Sequence, residues 1–318
     1  MKVLVTGASG TIGRPLVTAL SGAGYTVRAA MRYRRGTAFP ADVEIARLGD
    51  LAAPVDWAPL LAGIEAVVHL AGIAHIGTHF SEAEYDRVNR QATDDLARAA
   101  TGAGVRHLVF ASSIRAQTGT HADHPLSEAD TPQPTEPYGR SKLAAEEAVR
   151  RAGIAHTILR PVLTYTADAK GNLASLIRLA RSPFPLPFGA IDNRRSLLAV
   201  ENLIAAIRFA LEAPAARNET FIVADPQAVS TAEIVSICRR SLGRGAGLVP
   251  VPRGLFAALF ALTGQSEKWN RLAGSLEAPP VKLMAAGWKP LLTTQSGLAA
   301  MAQAASPRKS GTASRSTS

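Results

Sequence analysis

The sequence predicts a doubly wound α/β fold, a parallel sheet with helices on both faces, followed by a smaller C-terminal α/β lobe. Three observations carry this. The short apolar run KVLVT (2–6) leads straight into the glycine-rich TGASGTIG (6–13). Over the first 160 residues, continuous apolar runs alternate with segments of helical spacing, the pattern of parallel strands buried on both faces. After Pro161 that rhythm breaks, and stretches such as PFPLPFG exclude regular structure.

In chain order, KVLVT is the first strand, and residues 12–22 have helical spacing up to a glycine. TVRAAM (26–31), VEIARL (43–48), AVVHLAG (66–72), RHLVFASS (106–113) and GIAHTILRP (153–161) follow as strands. A long polar–apolar helix runs from about Ser81 to Gly104, and EPYGRSKLAAEE opens another after a proline-rich loop. Beyond Pro161 come a loop, the helical GNLASLIRLARS, the helix ENLIAAIRFALEA, the strand ETFIVA and the helix STAEIVSICRRSL. The last carries a cap signal in Ser230 or Thr231 with Glu233. GLFAALFALTG (254–264) reads as a core or amphipathic helix, too short to span a bilayer. The expected organisation is a sheet domain over 1–162 and a lobe over 163–302, some of whose segments return to the sheet. A disordered, small, polar and basic tail is expected over 303–318.

At 318 residues, with 47% hydrophobic and 19% charged residues, the chain fits a soluble globular protein with one large core and an appended lobe. One cysteine, Cys238, excludes an intramolecular disulfide and fits a reducing cytoplasm. No secretory signal pattern opens the sequence. The net charge of +10 is scattered and aromatics are sparse at 5%, which argues against nucleic acid and for an anionic small molecule. The charge also admits a loose hold on an acidic membrane surface, without stable insertion.

Gly7, Gly10 and Gly13 stand between the first strand and the first helix, as a GxxGxxG loop. Glycine there gives a tight turn, close approach of backbone to a pyrophosphate and close helix–strand packing, with the helix dipole facing the phosphates. Ser9, Thr11 and Ile12 fill out the loop. A site for NAD(H) has an acid about 20 residues on, at the end of the second strand. Here that end reads AAMRYRR, with Met31, Arg32, Arg34 and Arg35 and no carboxylate. Arginine pairs with a 2′-phosphate, so Arg32 and Arg35 predict NADP(H), with NAD(H) the alternative.

Tyr138 and Lys142, four residues apart at a helix start marked by Pro134 and Pro137, share one face. A nearby ammonium is expected to lower the tyrosine from its ordinary ~10 toward a value at which it exchanges protons with a carbonyl or hydroxyl. A third partner is a hydroxyl at a strand end, and Ser112 and Ser113 end the strand LVFASS. Alternation turns only one of them to the site.

With those residues in place, the chain resembles the extended branch of the short-chain dehydrogenase/reductase superfamily, the NAD-dependent epimerase/dehydratase family, with its Rossmann-type sheet. TGASGTIG, GDL (49–51), HLAG (69–72), SSI (112–114) and YGRSK (138–142) carry the resemblance, which covers residues 1 to 302. It implies that Ser113 rather than Ser112 is catalytic together with Tyr138 and Lys142, and that Lys142 also bonds the nicotinamide ribose. It places Asp50 and Leu51 by the adenine, and Leu70, Ala71, Gly72 and Pro161 along the cofactor. Asn89 is implied to support the active-site helix. The segment after Pro161 is similar to bacterial UDP-sugar 4-keto reductases of the UDP-N-acetylquinovosamine type and to UDP-glucose 4-epimerase-like proteins of polysaccharide biosynthesis. That likeness sets Arg195 at the substrate diphosphate, with Asn172 and Arg271 at the same nucleotide. A homodimer is implied too.

Two departures touch the substrate side: TYTADA (164–169) replaces VYGPG, and SSIRAQTGT lacks the usual valine–asparagine–glycine or valine–tyrosine–glycine. The expected activity is reduction of the 4-keto group of a UDP-linked 6-deoxy sugar, with Tyr138 as general acid. The alternatives are UDP-hexose 4-epimerisation with tightly bound NAD, reduction of a non-sugar ketone, and non-catalytic dinucleotide binding. His75 with His79, and His121 with His124, lack a cysteine or carboxylate constellation, so no metal is expected.

Overall fold

The computed structural model describes residues 1–32, 38–73, 80–166, 171–265, 269 and 272–305. Its main sheet joins β1 (Lys2–Thr6), β2 (Thr26–Met31), β3 (Glu44–Arg47), β4 (Ala66–His69), β5 (His107–Ala111), β6 (His156–Pro161) and β9 (Glu219–Val223). The order is β3-β2-β1-β4-β5-β6-β9 and every pairing is parallel. Chain order reverses beside β1, where such sheets open a crevice at the strands' carboxyl ends.

Period-2 alternation divides the core between the two faces. Val3, Val5, Val68, Val109 and Leu159 face one layer, with Leu16 and Leu20 of α1 (Gly13–Gly22) and Leu203 and Ile207 of α7 (Val200–Glu212). Leu4, Val67, Leu108, Phe110 and Ile158 face the other. There α2 (Ala58–Leu61), α4 (Ala92–Gly102) and α5 (Pro137–Arg151) cover them. Each fully buried Leu or Phe among these contributes roughly 1.5–3 kcal/mol.

The helix expected from Ser81 to Gly104 is interrupted. A capping box of Ser81 and Glu84 starts α3 (Glu82–Tyr85), and a π-helical turn over Asp86–Gln91 leads into α4. The strands are shorter than expected: β6 starts at His156 because Gly153 turns the chain at φ +74°, and β5 stops at Ala111, before Ser112.

In the C-terminal part, β7 (Leu163–Tyr165) pairs with β8 (Leu197–Ala199) inside what the sequence reads as a loop. Three residues are too few for a period to show. A third core unites Tyr165, Leu176 and Ile177 of α6 (Gly171–Ala180), Val235 and Cys238 of α8 (Thr231–Ser241), and Leu298 and Met301 of α11 (Thr294–Ala304). Ser230 and Glu233 form the capping box of α8. Burial pushes the Cys238 thiol up to about 11. Helix α11 passes the 302/303 boundary expected for the tail, and residues 306–318 lie outside the described residues. Helix α9 (Arg253–Leu262) lies on this lobe, and α10 (Val281–Ala285) packs by β9, where Lys282 donates to the Thr220 carbonyl at 3.1 Å. Among the described residues, no helix is long and apolar enough to cross a membrane.

Candidate active site

The glycine loop joins β1 to α1. Gly7 has φ +69°, and a Cβ there would stand 2.8 Å from the Ala71 amide nitrogen, so only glycine lets β1 and the HLAG segment close on each other. Ser9, Gly10 and Thr11 are exposed, Ile12 is half-buried and Gly13 buried at the helix start. No side chain caps α1 at Ile12, and no carboxylate lies in its first turn. Its positive end is left for an anion, which fits a dinucleotide pyrophosphate. Arg32 follows β2 directly and is exposed, whereas Arg34 and Arg35 lie outside the described residues. Asp50 bonds the Ala52 amide through its own carboxylate at 3.1 Å, and Leu51 beside it is buried. Leu70 and Ala71 are half-buried and Gly72 exposed at the end of β4, and Pro161 closes β6.

Under the loop runs a chain of neutral hydrogen bonds. The Thr6 hydroxyl accepts from the Ala71 amide at 3.2 Å and meets His69 Nδ1 at 2.7 Å. His69 Nε2 meets Thr93 Oγ1 at 3.0 Å, and Thr93 donates to the Asn89 carbonyl at 2.6 Å. Asn89 Oδ1 accepts from the Ile73 amide at 2.8 Å, and its Nδ2 donates to Ser141 Oγ at 3.0 Å. Ser141 donates to the Tyr138 carbonyl at 2.8 Å, so the chain runs unbroken from loop to active-site helix. The π turn is the element that holds Asn89. Burial, then the Lys142 charge, push the His69 imidazole down to about 3, so it is neutral.

Tyr138 is the second residue of α5. Its neighbour Gly139 is required by packing, because a Cβ there would overlap the Arg115 carbonyl oxygen. That contact seats α5 on the 3₁₀ turn Ile114–Ala116, whose N-cap is Ser113. Ser113 Oγ accepts from the Arg115 amide at 3.1 Å. Burial raises the Tyr138 phenol above its ordinary value, while a hydrogen bond with Ser113 and the Arg115 charge act to lower it. The Tyr85 ring lies 6.0 Å away, centroid to centroid.

Lys142 departs from the expectation that it tunes the phenol. Its ammonium donates to the Ala111 carbonyl at 2.7 Å and sits 4.1 Å from the Phe110 ring centroid. Burial takes it to the carbonyl and ring at the end of β5, and burial brings its value down to about 7. The groups that lower Tyr138 are Ser113 and Arg115, and Arg115 is a site residue that spacing arguments passed over. Its signal lay in SSIRAQTGT, noted above only as a departure.

Ser112 faces away from Ser113's partner. It donates to Glu146 Oε1 at 2.6 Å in a fully buried ion pair, in which Arg160 reaches the two carboxylate oxygens at 2.9 and 2.7 Å. Arg160 also donates to Gln117 Oε1 at 2.8 Å, and Arg150 reaches Glu146 at 3.1 Å.

On the substrate side, Arg195 donates to the Gly274 carbonyl at 2.9 Å. Burial and then the Arg115 charge lower its value, so two guanidiniums bear on one region. Arg194 points instead to Glu233 at 3.8 Å. Tyr165 of TYTADA is buried and donates to Asp225 at 2.8 Å. Arg271, His75, His79 and residues 167–169 lie outside the described residues, as does the side chain of Asn172. His124 stands 3.5 Å from Asp130. Among the described residues there is no cluster of three or more metal-ligating side chains.

The model of the NAD dependent epimerase/dehydratase family matches residues 3–224. A UDP-glucose 4-epimerase of Vibrio cholerae is 34% identical over 315 residues, 95% of each chain. The N-acetyl-alpha-D-glucosaminyl-diphospho-ditrans,octacis-undecaprenol 4-epimerase of Escherichia coli O157:H7 is 27% identical over 93% of each chain. Among solved structures, MoeE5 in complex with UDP-glucuronic acid and NAD aligns with a TM-score of 0.72 and 26% identity, over 96% of this chain and 98% of that one. The fold is that of the Rossmann-type short-chain dehydrogenase/reductases. The chain belongs to the NAD-dependent epimerase/dehydratase family.

Proposed function

We propose that the protein is a nicotinamide-dependent oxidoreductase acting at C4 of a UDP-linked sugar, with Tyr138 as the proton carrier. The observation that carries this is the convergence on Tyr138. Ser113 bonds its phenol, Arg115 places a positive charge beside it, and Arg195, within reach of that same charge, would meet a substrate diphosphate. Gly7–Gly13, Leu70–Gly72 and Pro161 would hold a dinucleotide, which when bound would supply or accept the hydride at the sugar carbon.

The rest is the work of this chain's residues. The Arg115 amide occupies one lone pair of Ser113 Oγ, which leaves the hydroxyl proton for the Tyr138 oxygen or the substrate oxygen. Ser113 thereby holds the substrate oxygen against the phenol, and Tyr138 gives or takes its proton. Lys142 is held at the Ala111 carbonyl, its value brought down by burial to about 7. Asn89 and Ser141 fix the first turn of α5 and so the direction of the phenol.

The two directions of this chemistry have separate support. Arg32 at the end of β2, with no carboxylate there, favours NADP(H) and a 4-keto reductase. The full-length likeness to an enzyme named UDP-glucose 4-epimerase, and NAD in the MoeE5 complex, favour a 4-epimerase with retained NAD. A homodimer through α4 and α5 belongs to the same proposal, and light scattering would measure it.

Tyr138→Phe tests the reading. The expected result is a fall of about 10²- to 10⁴-fold in turnover with nucleotide binding intact, assayed on UDP-glucose/UDP-galactose interconversion and on UDP-4-keto-sugar reduction. Unchanged turnover on the active substrate would remove Tyr138 from the chemistry.

A further inference from the structure

Helix α9 is apolar on both sides. On its inner side Phe256 stacks on Phe188 at 6.3 Å and on Trp269 at 5.6 Å, and Phe260 lies 5.9 Å from Trp269. Arg253 in its first turn pairs with Asp192 at 2.7 Å and donates to the Ala273 carbonyl at 3.2 Å. These contacts fix the helix on the lobe. Its outer side holds Gly254, Leu255, Ala258, Ala261 and Leu262, all exposed and forming one stripe of helical spacing. Leu255 is 66% and Leu262 87% exposed. The segments leading into the helix, joined by the Leu186–Leu248 bridge, expose Phe184 and Val249 as well. A surface helix ordinarily carries charge on this side, and a contiguous apolar patch marks a docking surface.

The charge around the patch is mostly positive, with Asp192, paired to Arg253, the acid beside it. Segments 171–191 and 234–265, which build this end of the lobe, contain Arg178, Arg181, Arg239, Arg240, Arg244 and Arg253 and no Asp or Glu. Arg178, Arg240 and Arg244 are exposed, while Arg239 is buried and braces the turn through the Gly245, Ser182 and Phe184 carbonyls. A second copy docking patch to patch would set like charges against each other. A negatively charged bilayer satisfies both features, the apolar stripe and its basic border.

We propose that α9 docks the protein on an anionic bilayer surface, with Leu255 and Leu262 at the boundary between headgroups and acyl chains and the bordering arginines at the lipid phosphates. Ten residues of helix are about 15 Å long, enough to lie in the interface and not to cross it.

Co-sedimentation of the full chain with phosphatidylcholine vesicles, with and without phosphatidylglycerol, tests this. The expected result is binding that requires phosphatidylglycerol and falls about tenfold or more in the Leu255→Glu/Leu262→Glu double variant, with its circular dichroism and melting unchanged. Ala258→Glu, on the same outer stripe, gives the same loss from a single change and serves if the double variant fails to fold. Absence of wild-type binding to the anionic vesicles would overturn the proposal. Equal binding by wild type and variants would also overturn it and assign the attraction to charge alone, including the tail's Arg308, Lys309 and Arg315. So would a wild-type dimer that the variant converts to monomer without any vesicle binding, which would make a second copy the occupant.

Discussion

Beneath the glycine loop, Thr6, His69, Thr93 and Asn89 are linked by neutral hydrogen bonds, whereas beneath Ser113 an ion pair of Glu146 and Arg160 takes the same supporting place. Both networks are buried and both brace one half of the site. They differ in what happens when a partner is lost. Each neutral bond contributes a net of about 0.5–1.5 kcal/mol, and Thr6 and Thr93 keep another partner if His69 goes. Arg160 without Glu146 would be an uncompensated buried charge, whereas Glu146 without Arg160 would keep Arg150. The cofactor side is therefore tolerant and acid-sensitive, and the catalytic side intolerant of removing Glu146.

The sharpest way to break this contrast is Glu146→Ala, which strands Arg160. The expected loss is about 3–5 kcal/mol in urea unfolding, with a double Glu146→Ala/Arg160→Met variant recovering a large part of it. A cost no greater than that of His69→Leu would erase the distinction. Next comes Gly139→Ala, which lifts α5 from the 114–116 turn and moves Tyr138 relative to Ser113. Turnover should fall by about 10²-fold while the neutral network still anchors Asn89 to Ser141. Native turnover in this variant would show that the α5 seat is not critical.

The third test is a pH slope, gradual where the first two are single steps. His69 has a folded value depressed to about 3, below the ~6.5 of an unfolded chain, so between those values the unfolded state binds more protons. Stability should fall as the pH drops through that window, by up to about 1.4 kcal/mol per pH unit from this group. His107, pushed down to about 4 by burial, adds a slope of the same sign. His69→Leu should flatten the curve relative to wild type, and parallel curves would show that His69 does not set it. Lys142 acts on the other side. Depressed to about 7, it is charged in both states below that value, and its contribution grows as pH rises toward its unfolded ~10.4.

Much of this was legible in the sequence where one pattern maps to one structure. KVLVT, AVVH and HLVFA are apolar because both faces are covered, and TGASGTIG can only be a turn between strand and helix. The juxtaposition of Ser113 and Tyr138 was legible too, through alternation and resemblance. What escaped depends on contacts distant in sequence. The π turn at Asn89 keeps helical composition, so periodicity cannot show the inserted residue. Lys142's choice of Ala111 over Tyr138 depends on where β5 ends. Arg115 became visible as a site residue only when the 114–116 turn packed under Gly139. For GLFAALFALTG, composition shows an apolar helix, but only the fold shows which side remains uncovered.

The most direct test of the central claim, that this site works with a nicotinamide dinucleotide, begins with the nucleotide that copurifies with the chain, followed by fluorescence titration with NADPH and NADH. The account predicts one dinucleotide per chain, with exchangeable NADPH for the reductase direction or retained NAD for the epimerase direction. A properly folded chain that retains neither and binds neither would contradict it.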